Sequence, residues 1–183
     1  MKDLNASNSS PVISDRSTFF LVGFMGSGKT HWGKRWALAN RMSFVDLDEM
    51  IEKAEGKTIR DIFEANGEDY FRKLEAQSLK LCADLHNTII ACGGGTPCFF
   101  DNMQWMNEHG ITIYVAATAE QILQRVLAAG LEKRPLLKKM SEGELTSFIS
   151  GKLKEREPVY SQAQFTLHSD QLTEGTFAAL RQL

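Results

Sequence analysis

Apolar and polar positions alternate in two distinct ways along this chain. Short apolar runs rich in β-branched and aromatic residues predict strands at 18–22, 43–45, 88–91, 112–115 and 165–167. Longer runs with an apolar residue every three or four positions predict helices at 29–41, 48–55, 59–66, 70–85, 101–108, 119–129, 142–161 and 173–183. Because strands and helices alternate, we expect an α/β fold with a mainly parallel sheet covered by helices on both faces.

Several of the predicted helices carry local start and stop signals. Three begin with a hydroxyl residue that is followed three positions later by an acidic or amide residue, which is the spacing of a capping box. These pairs are Thr58 with Asp61, Thr118 with Gln121, and Ser141 with Glu144. Pro158 falls late in the helix predicted at 142–161 and is expected to kink or end it.

Residues 1–17 differ in composition from the rest of the chain. They are rich in Ser and Asn, show little apolar periodicity and lack the apolar core of a signal peptide. We interpret them as a disordered N-terminal tail. No linker or internal repeat interrupts the remaining chain, so a single domain is predicted over 18–183.

Composition excludes some classes of partner. The chain is 43% hydrophobic and 24% charged, with a net charge of −2, so no basic field favours nucleic acid. No apolar run approaches the roughly 20 residues that span a bilayer, so no membrane segment is predicted. Cys82, Cys92 and Cys98 have neither C-x-x-C nor zinc-site spacing, which predicts free thiols and a cytoplasmic location.

The strongest chemical signal is the run GFMGSGKT at 23–30. It fits the Walker A pattern G-x-x-x-x-G-K-[ST], and it lies between a predicted strand and a predicted helix, as that motif requires. Its glycines let backbone N–H groups surround an anion, and the following helix adds the partial positive charge of its N-terminus. Lys29 can then reach the β- and γ-phosphates, and the Thr30 hydroxyl can bind Mg²⁺. The alternative is a tight β–α turn with a chance lysine.

Two acids follow the second predicted strand, at Asp46 and Asp48. Alternation at the strand end would place both on one side, directed toward the edge of the sheet where ligands bind. One could contact Mg²⁺ through water, and the other could accept a proton from a substrate hydroxyl. The alternative is a surface turn with solvated acids.

Further candidates come later in the chain. Arg72 is a candidate site residue, and Glu75 follows it by three positions. The alternative to a role in the site is that the two form an exposed ion pair of little energetic value. Three glycines at 93–95 follow the third strand, where they favour close approach to a ligand over a flexible turn. A basic segment at about 128–140 resembles a mobile lid whose Arg134 could reach a γ-phosphate, and Arg156 is a second candidate anion ligand. The alternative for Arg134 is a solvated basic loop, and the alternative for Arg156 is an ordinary surface arginine.

In this order the motifs resemble the shikimate kinase family over nearly the whole chain from about residue 18 onward. They are GFMGSGKT, DLDEMIE, DIFEANGEDYFRKLE, GGG, RPLL and EREPVY. The resemblance implies a three-layer P-loop kinase fold, with a five-stranded parallel sheet, helices on both faces and a mobile lid. It also implies ATP-dependent phosphorylation of the 3-hydroxyl of shikimate in aromatic amino-acid biosynthesis, with Mg²⁺ as cofactor.

The resemblance further implies a role for individual residues. Lys29, Asp48 and Arg134 would be catalytic, and Thr30 and Asp46 would hold the metal. Shikimate would be bound through its carboxylate, its hydroxyls and its ring by Asp48, Phe63, Phe71, Arg72, Gly93, Gly94, Gly95 and Arg156. ATP would contact Gly26, Ser27, Gly28, Lys29, Thr30, His31, Arg125 and Arg134, with Arg125 against the adenine. His31 and Trp32 depart from the family's usual small hydroxyl and aliphatic residues, which predicts altered helix packing without loss of activity.

Two rival functions remain open at the level of the sequence. A related kinase for gluconate or a nucleotide would share the P-loop and lid, but would not require the acidic pair, both arginines and the glycine turn together. A nucleotide-binding domain without catalysis would be expected to lack Asp48 or Arg134. The partners expected are the small molecules ATP and shikimate, with the protein itself as a monomer.

Overall fold

The computed structural model describes residues 13–14, 17–130 and 140–182. Five strands form one sheet: β1 (Thr18–Val22), β2 (Ser43–Asp46), β3 (Thr88–Ala91), β4 (Ile111–Ala116) and β5 (Phe165–His168). The strand order is β2-β3-β1-β4-β5, and every pairing is parallel. The predicted five-stranded parallel sheet is therefore confirmed, with bounds that differ by at most one residue at each strand end.

The described residues also form seven α-helices and a short 3₁₀-helix at Thr96–Cys98. The α-helices are α1 (Lys29–Ala39), α2 (Leu47–Glu55), α3 (Ile59–Lys80), α4 (Asn102–His109), α5 (Ala119–Ala128), α6 (Glu142–Tyr160) and α7 (Glu174–Leu180). All three predicted capping boxes are present, at the starts of α3, α5 and α6. None of the described helices is long and apolar enough to cross a bilayer.

Helix α3 consists of two helical segments that meet at a kink, as the predicted helices at 59–66 and 70–85 require. The kink is at Gly67, which has a non-helical φ of 80° and ψ of 176°. The helix ends at Lys80 instead of 85, because residues 81–84 form turns ahead of β3. Pro158 lies inside α6, two residues before its end at Tyr160, so the predicted termination is confirmed to within one turn.

The core lies on both faces of the sheet, as the period of two along β1 requires. Phe20 and Val22 face the cluster that is covered by α2 to α6, whereas Phe19 and Leu21 face the cluster under α1 and α7. On the second face the Trp36 ring stacks on Phe177 at 5.6 Å and on Trp32 at 5.8 Å. This aromatic stack fixes α1, the helix that carries Lys29 and Thr30 at its start.

Candidate active site

The loop between β1 and α1 has the backbone that its glycines allow. Gly23 has φ 136°, and a Cβ there would lie 2.7 Å from the carbonyl oxygen of Val115 in the adjacent strand. Gly28 has φ 106° and is the N-cap of α1. Residues with side chains rarely adopt these conformations, so the two glycines permit a tight loop ahead of the helix N-terminus.

Lys29 and Ser27 place buried polar groups inside this loop. Lys29 is 7% exposed, and its amine donates to the carbonyl oxygens of Gly23 at 2.8 Å and Phe24 at 2.9 Å. The Ser27 hydroxyl is buried and has no hydrogen-bond partner among the described residues. A buried amine and an unsatisfied hydroxyl at a helix N-terminus are groups that an anion can bind.

Thr30 and Asp46 meet beside the loop. The Thr30 hydroxyl donates to one carboxylate oxygen of Asp46 at 2.8 Å, and the other oxygen accepts from the backbone N–H of Asp48 at 3.1 Å. Asp46 is thus the N-cap of α2. A hydroxyl and a carboxylate are hard oxygen ligands of the kind that Mg²⁺ takes, since this ion usually has one or two carboxylates and completes its shell with water and phosphate. The residues present therefore fit the implied metal.

Asp48 lies next to this pair, but for a different reason from the one predicted. Strand β2 ends at Asp46 and helix α2 begins at Leu47, so strand alternation does not direct the two acids. Both nevertheless line one cavity, together with Lys29 and Gly93. Burial is the main cause that raises the pKa of Asp48 from 3.8 to about 6; nearby Glu75 and Asp46 also raise it, whereas Lys29 lowers it. A carboxylate tuned in this way is suited to accept a proton near neutral pH.

Arg72 forms a buried network that the sequence interpretation underestimated. Its Nη1 donates to Glu75 at 2.9 Å, and the two side chains are 10% and 1% exposed, so the alternative of an exposed pair is wrong. Its Nε and Nη2 donate to Glu68 at 3.1 and 3.0 Å. Glu75 also accepts from the Thr96 hydroxyl at 2.5 Å. Sequence reasoning assigned no role to Glu75, Glu68 or Thr96.

Aromatic rings surround the Arg72 guanidinium. Its central carbon lies 5.2 Å from the centroid of Phe71, 5.8 Å from that of Phe63 and 4.5 Å from that of Phe99. The Phe63 and Phe71 rings are themselves 4.6 Å apart. The structure thus brings the two predicted phenylalanines to Arg72, and it adds Phe99, which follows the glycine turn in the chain.

The first and last of the three glycines after β3 lie very close to charged side chains. A Cβ on Gly93 would lie 2.7 Å from a Glu75 oxygen and 2.9 Å from an Asp48 oxygen. A Cβ on Gly95 would lie 2.6 Å from the Arg72 guanidinium. The turn therefore has carboxylates against one end and a guanidinium against the other, which explains why side chains are excluded there.

The middle glycine of the turn, Gly94, is hydrogen-bonded to two side chains of helix α6. The carbonyl oxygen of Gly94 accepts hydrogen bonds from the Tyr160 phenol at 2.6 Å and from Arg156 Nη1 at 3.2 Å. Arg156 also lies over the Phe24 ring of the P-loop at 5.8 Å. Tyr160 received no role from the sequence, although it ends the quoted motif EREPVY.

The cavity beside the P-loop has a volume of about 390 Å³. Besides the acids and the glycine turn, its lining includes the predicted nucleotide residues Gly26, Gly28, Lys29, Thr30, His31 and Arg125. Arg125 donates to the backbone oxygens of Gly26 at 3.3 Å and Ser27 at 3.0 Å, so its guanidinium lies against the loop. Arg134 and most of the predicted lid lie outside the described residues.

A parallel sheet with a P-loop after the first strand and an acidic pair after the second defines a P-loop kinase. The family model for shikimate kinase matches residues 25–182. Shikimate kinase from Phocaeicola vulgatus is 41% identical over 153 residues, which are 84% of this chain and 87% of that protein. The chain belongs to the shikimate kinase family.

Solved structures agree with this assignment. The 1.7 Å crystal structure of shikimate kinase from Bacteroides thetaiotaomicron superposes with a TM-score of 0.87 at 36% identity, covering 91% of this chain and 99% of that one. Shikimate kinase from Acinetobacter baumannii, solved in complex with shikimate, gives a TM-score of 0.75 at 32% identity and covers 91% and 89% of the two chains.

Proposed function

We propose that this protein transfers the γ-phosphoryl group of ATP to the 3-hydroxyl of shikimate, giving shikimate 3-phosphate and ADP in aromatic amino-acid biosynthesis. The observation that carries the proposal is the glycine turn with Asp48 against Gly93 and Arg72 against Gly95. An acceptor that lies along this turn meets a carboxylate at one end and a guanidinium at the other. Shikimate has hydroxyls at one side of its ring and a carboxylate at the other, so it fits that polarity.

The phosphate donor is bound by the P-loop in this proposal. Backbone N–H groups of the loop, the Ser27 hydroxyl and the Lys29 amine bind the phosphates, and Lys29 exchanges its carbonyl partners for phosphate oxygens. Thr30 and Asp46 hold Mg²⁺, which supplies charge neutralisation of the phosphates when bound. Arg125 contacts the adenine, His31 lies beside the nucleotide and Arg134 closes on the phosphates from the lid.

The acceptor is oriented by the remaining residues. Arg72 and Arg156 bind the carboxylate of shikimate, because planar guanidinium groups match a carboxylate in bidentate geometry. Phe63 and Phe71 form the apolar wall for the ring, and the backbone of Gly94 and Gly95 lies beside it. Asp48 accepts a hydrogen bond from the reacting hydroxyl and takes its proton as the oxygen attacks phosphorus.

The test is a coupled assay of ADP release with ATP and Mg²⁺. Shikimate, gluconate, a nucleoside monophosphate and water alone are compared as acceptors. We expect strong stimulation by shikimate alone, with shikimate 3-phosphate as the product by mass spectrometry. Stimulation by gluconate or by a nucleotide in its place would identify a different kinase of this fold. ATP binding without stimulation by any acceptor would favour a non-catalytic nucleotide-binding domain.

A further inference from the structure

The carboxylate-binding edge of Arg72 is already occupied in the protein without ligand. Nε and Nη2 form the side of a guanidinium that grips a carboxylate with two parallel hydrogen bonds. Here both atoms donate to a single oxygen of Glu68, at 3.1 and 3.0 Å. An incoming carboxylate that uses this edge must displace Glu68.

The two acidic partners of Arg72 differ in how firmly they are held. The Glu75 side chain is 1% exposed and is also bonded to the Thr96 hydroxyl at 2.5 Å, so it is a fixed part of the site. The Glu68 side chain is 56% exposed, and within the described part of the chain it bonds to Arg72 alone. A carboxylate that is already half in water leaves at low cost, because solvent replaces most of the lost interaction.

The kink in α3 sets where Glu68 lies. Gly67 leaves helical geometry with φ 80° and ψ 176°, and a regular segment resumes at Glu68. Glu68 therefore stands four residues before Arg72 in that segment, the spacing at which an acid and a following base contact each other across one turn. A Cβ on Gly67 would have no neighbour within 4 Å, so the positive φ, and not a close approach, favours glycine at the kink.

We propose that Glu68 is an internal competitor for the carboxylate site. It occupies the Nε and Nη2 edge of Arg72 in the free enzyme and is displaced when the substrate carboxylate binds, while Glu75 keeps the guanidinium in place from Nη1. This inference rests on the proposed function, in which Arg72 binds the carboxylate of shikimate. Substrate can bind only to the fraction of enzyme in which this edge of Arg72 is vacant. The measured Kd is therefore the intrinsic Kd divided by that fraction.

The test is Glu68→Gln, which keeps the length of the side chain and removes its charge. Because the acid of this pair is more than half exposed, removing the competitor should tighten shikimate binding about two- to five-fold. We expect this decrease in the Kd for shikimate measured by calorimetry without nucleotide, and the same decrease in KM. The KM for ATP and kcat should stay unchanged, because Glu68 bonds to Arg72 and neither to the P-loop nor to Asp48 within the described residues.

Glu64→Gln is the matched control. Glu64 pairs with Arg60 at 2.8 Å on the same helix, also at a spacing of four residues, and its side chain is 61% exposed. The Glu64→Gln variant should leave the Kd for shikimate unchanged.

An unchanged Kd in Glu68→Gln overturns the competition. A weaker Kd also overturns it, since Glu68 would then be a positioning residue that orients Arg72. A wild-type protein that phosphorylates shikimate while Glu68→Gln behaves normally refutes only this inference, whereas a wild type that does not bind shikimate refutes the proposed function as well.

Discussion

The phenol of Tyr160 donates a hydrogen bond of 2.6 Å to the carbonyl oxygen of Gly94, 66 residues earlier in the chain. Tyr160 is fully buried at the end of α6, and Gly94 is the middle residue of the turn that separates Asp48 from Arg72. Arg156, one turn earlier on α6, donates to the same oxygen at 3.2 Å. The position of the acceptor site thus depends on a helix that follows the predicted lid.

Replacing Tyr160 with Phe should loosen the glycine turn without emptying the core. The ring remains, and one hydrogen bond is lost, which is worth about 0.5–1.5 kcal/mol, or a two- to ten-fold change in an equilibrium constant. We expect the KM for shikimate to rise by this factor in steady-state assays, with the KM for ATP unchanged. Tyr114→Phe is the control, because its phenol donates to Glu157 at 3.1 Å and not to the turn. Equal effects of both variants on both substrates would mean that Tyr160 is a structural residue alone.

Arg156→Ala should impair recognition of the acceptor and leave that of the nucleotide intact. The loss of a charged, hydrogen-bonded partner of a carboxylate costs about 2–5 kcal/mol, so the KM for shikimate should rise by at least about 30-fold. Calorimetry with an ATP analogue checks that the nucleotide Kd is unchanged. Arg60→Ala, which removes an exposed arginine from α3, is the control. A parallel loss of nucleotide affinity would place Arg156 on the phosphates instead.

Asp48→Asn should remove most of the activity and yet stabilise the fold. As the proposed base, Asp48 should contribute about 10²–10⁴-fold to kcat. Its pKa is raised from 3.8 to about 6, mainly by burial. Because the folded-state pKa lies above the unfolded value, the folded protein holds the proton more tightly, and stability falls as the pH rises from about 4 through about 6.

The stability gain of Asp48→Asn should therefore depend on pH. It should be small at pH 4 and should reach about 2–3 kcal/mol above pH 6, from about 1.4 kcal/mol for each unit of pKa. Urea unfolding in EDTA at pH 4.5 and 7.5 measures it. The exposed Asp84→Asn should show no such difference between the two pH values. A variant that loses stability at pH 7.5, or one that retains a near-normal kcat, would contradict this account of Asp48.

The sequence predicted best what depends on neighbouring residues. The bounds of β1 and β3, all three capping boxes and the strand–loop–helix context of Lys29 depend on local propensity and hydrogen bonding, so local patterns specify them. The ordered motifs also predicted one site that contains Asp46, Asp48, Arg72 and the glycine turn. Arg134 and most of the predicted tail at 1–17 lie outside the described residues, so the role of Arg134 and the disorder of the tail stay predictions.

What the sequence could not predict depends on distant contacts. An exposed pair of Arg72 with Glu75 was left open as the alternative, and the spacing of three residues could not exclude it, because the bond from Glu75 to Thr96 joins residues 21 positions apart. Nothing in the local pattern of α6 showed that Tyr160 bonds to Gly94. The exact point of the kink in α3 was not predicted either: the predicted helices left 67–69 between them, whereas only Gly67 is non-helical.

Thr30→Val should weaken the binding of the Mg²⁺ that accompanies ATP, because it keeps the shape of the side chain and removes the hydroxyl that lies 2.8 Å from Asp46. Losses of about 10–100-fold in metal affinity are usual even for residues in the outer shell of a metal, so the Mg²⁺ concentration for half-maximal binding of ATP should rise at least that much. Titration of Mg²⁺ in a binding assay and in the activity assay checks it. Thr166→Val, at an exposed position of β5, should change neither titration. An unaltered Mg²⁺ dependence would remove Thr30 from the metal site.

Gly95→Ala should separate function from folding. Gly95 has φ −94°, so alanine fits the backbone, but its Cβ would lie 2.6–2.7 Å from the guanidinium of Arg72. The end of a long side chain can move aside, so we expect thermal stability to change little. The same movement takes Arg72 away from the proposed carboxylate position, and displacements of about 1 Å cost on the order of 100-fold in rate. We therefore expect kcat/KM for shikimate to fall about 10- to 100-fold, in line with that cost, with ATP binding unchanged.

Gly151→Ala is the control. A Cβ there meets nothing within 4 Å on helix α6, so alanine should stabilise the helix by about 0.5–1 kcal/mol without altering kinetics. Normal kinetics in Gly95→Ala would show that Arg72 can bind the acceptor from another position, and the proposed site would need a different arrangement of its cationic end.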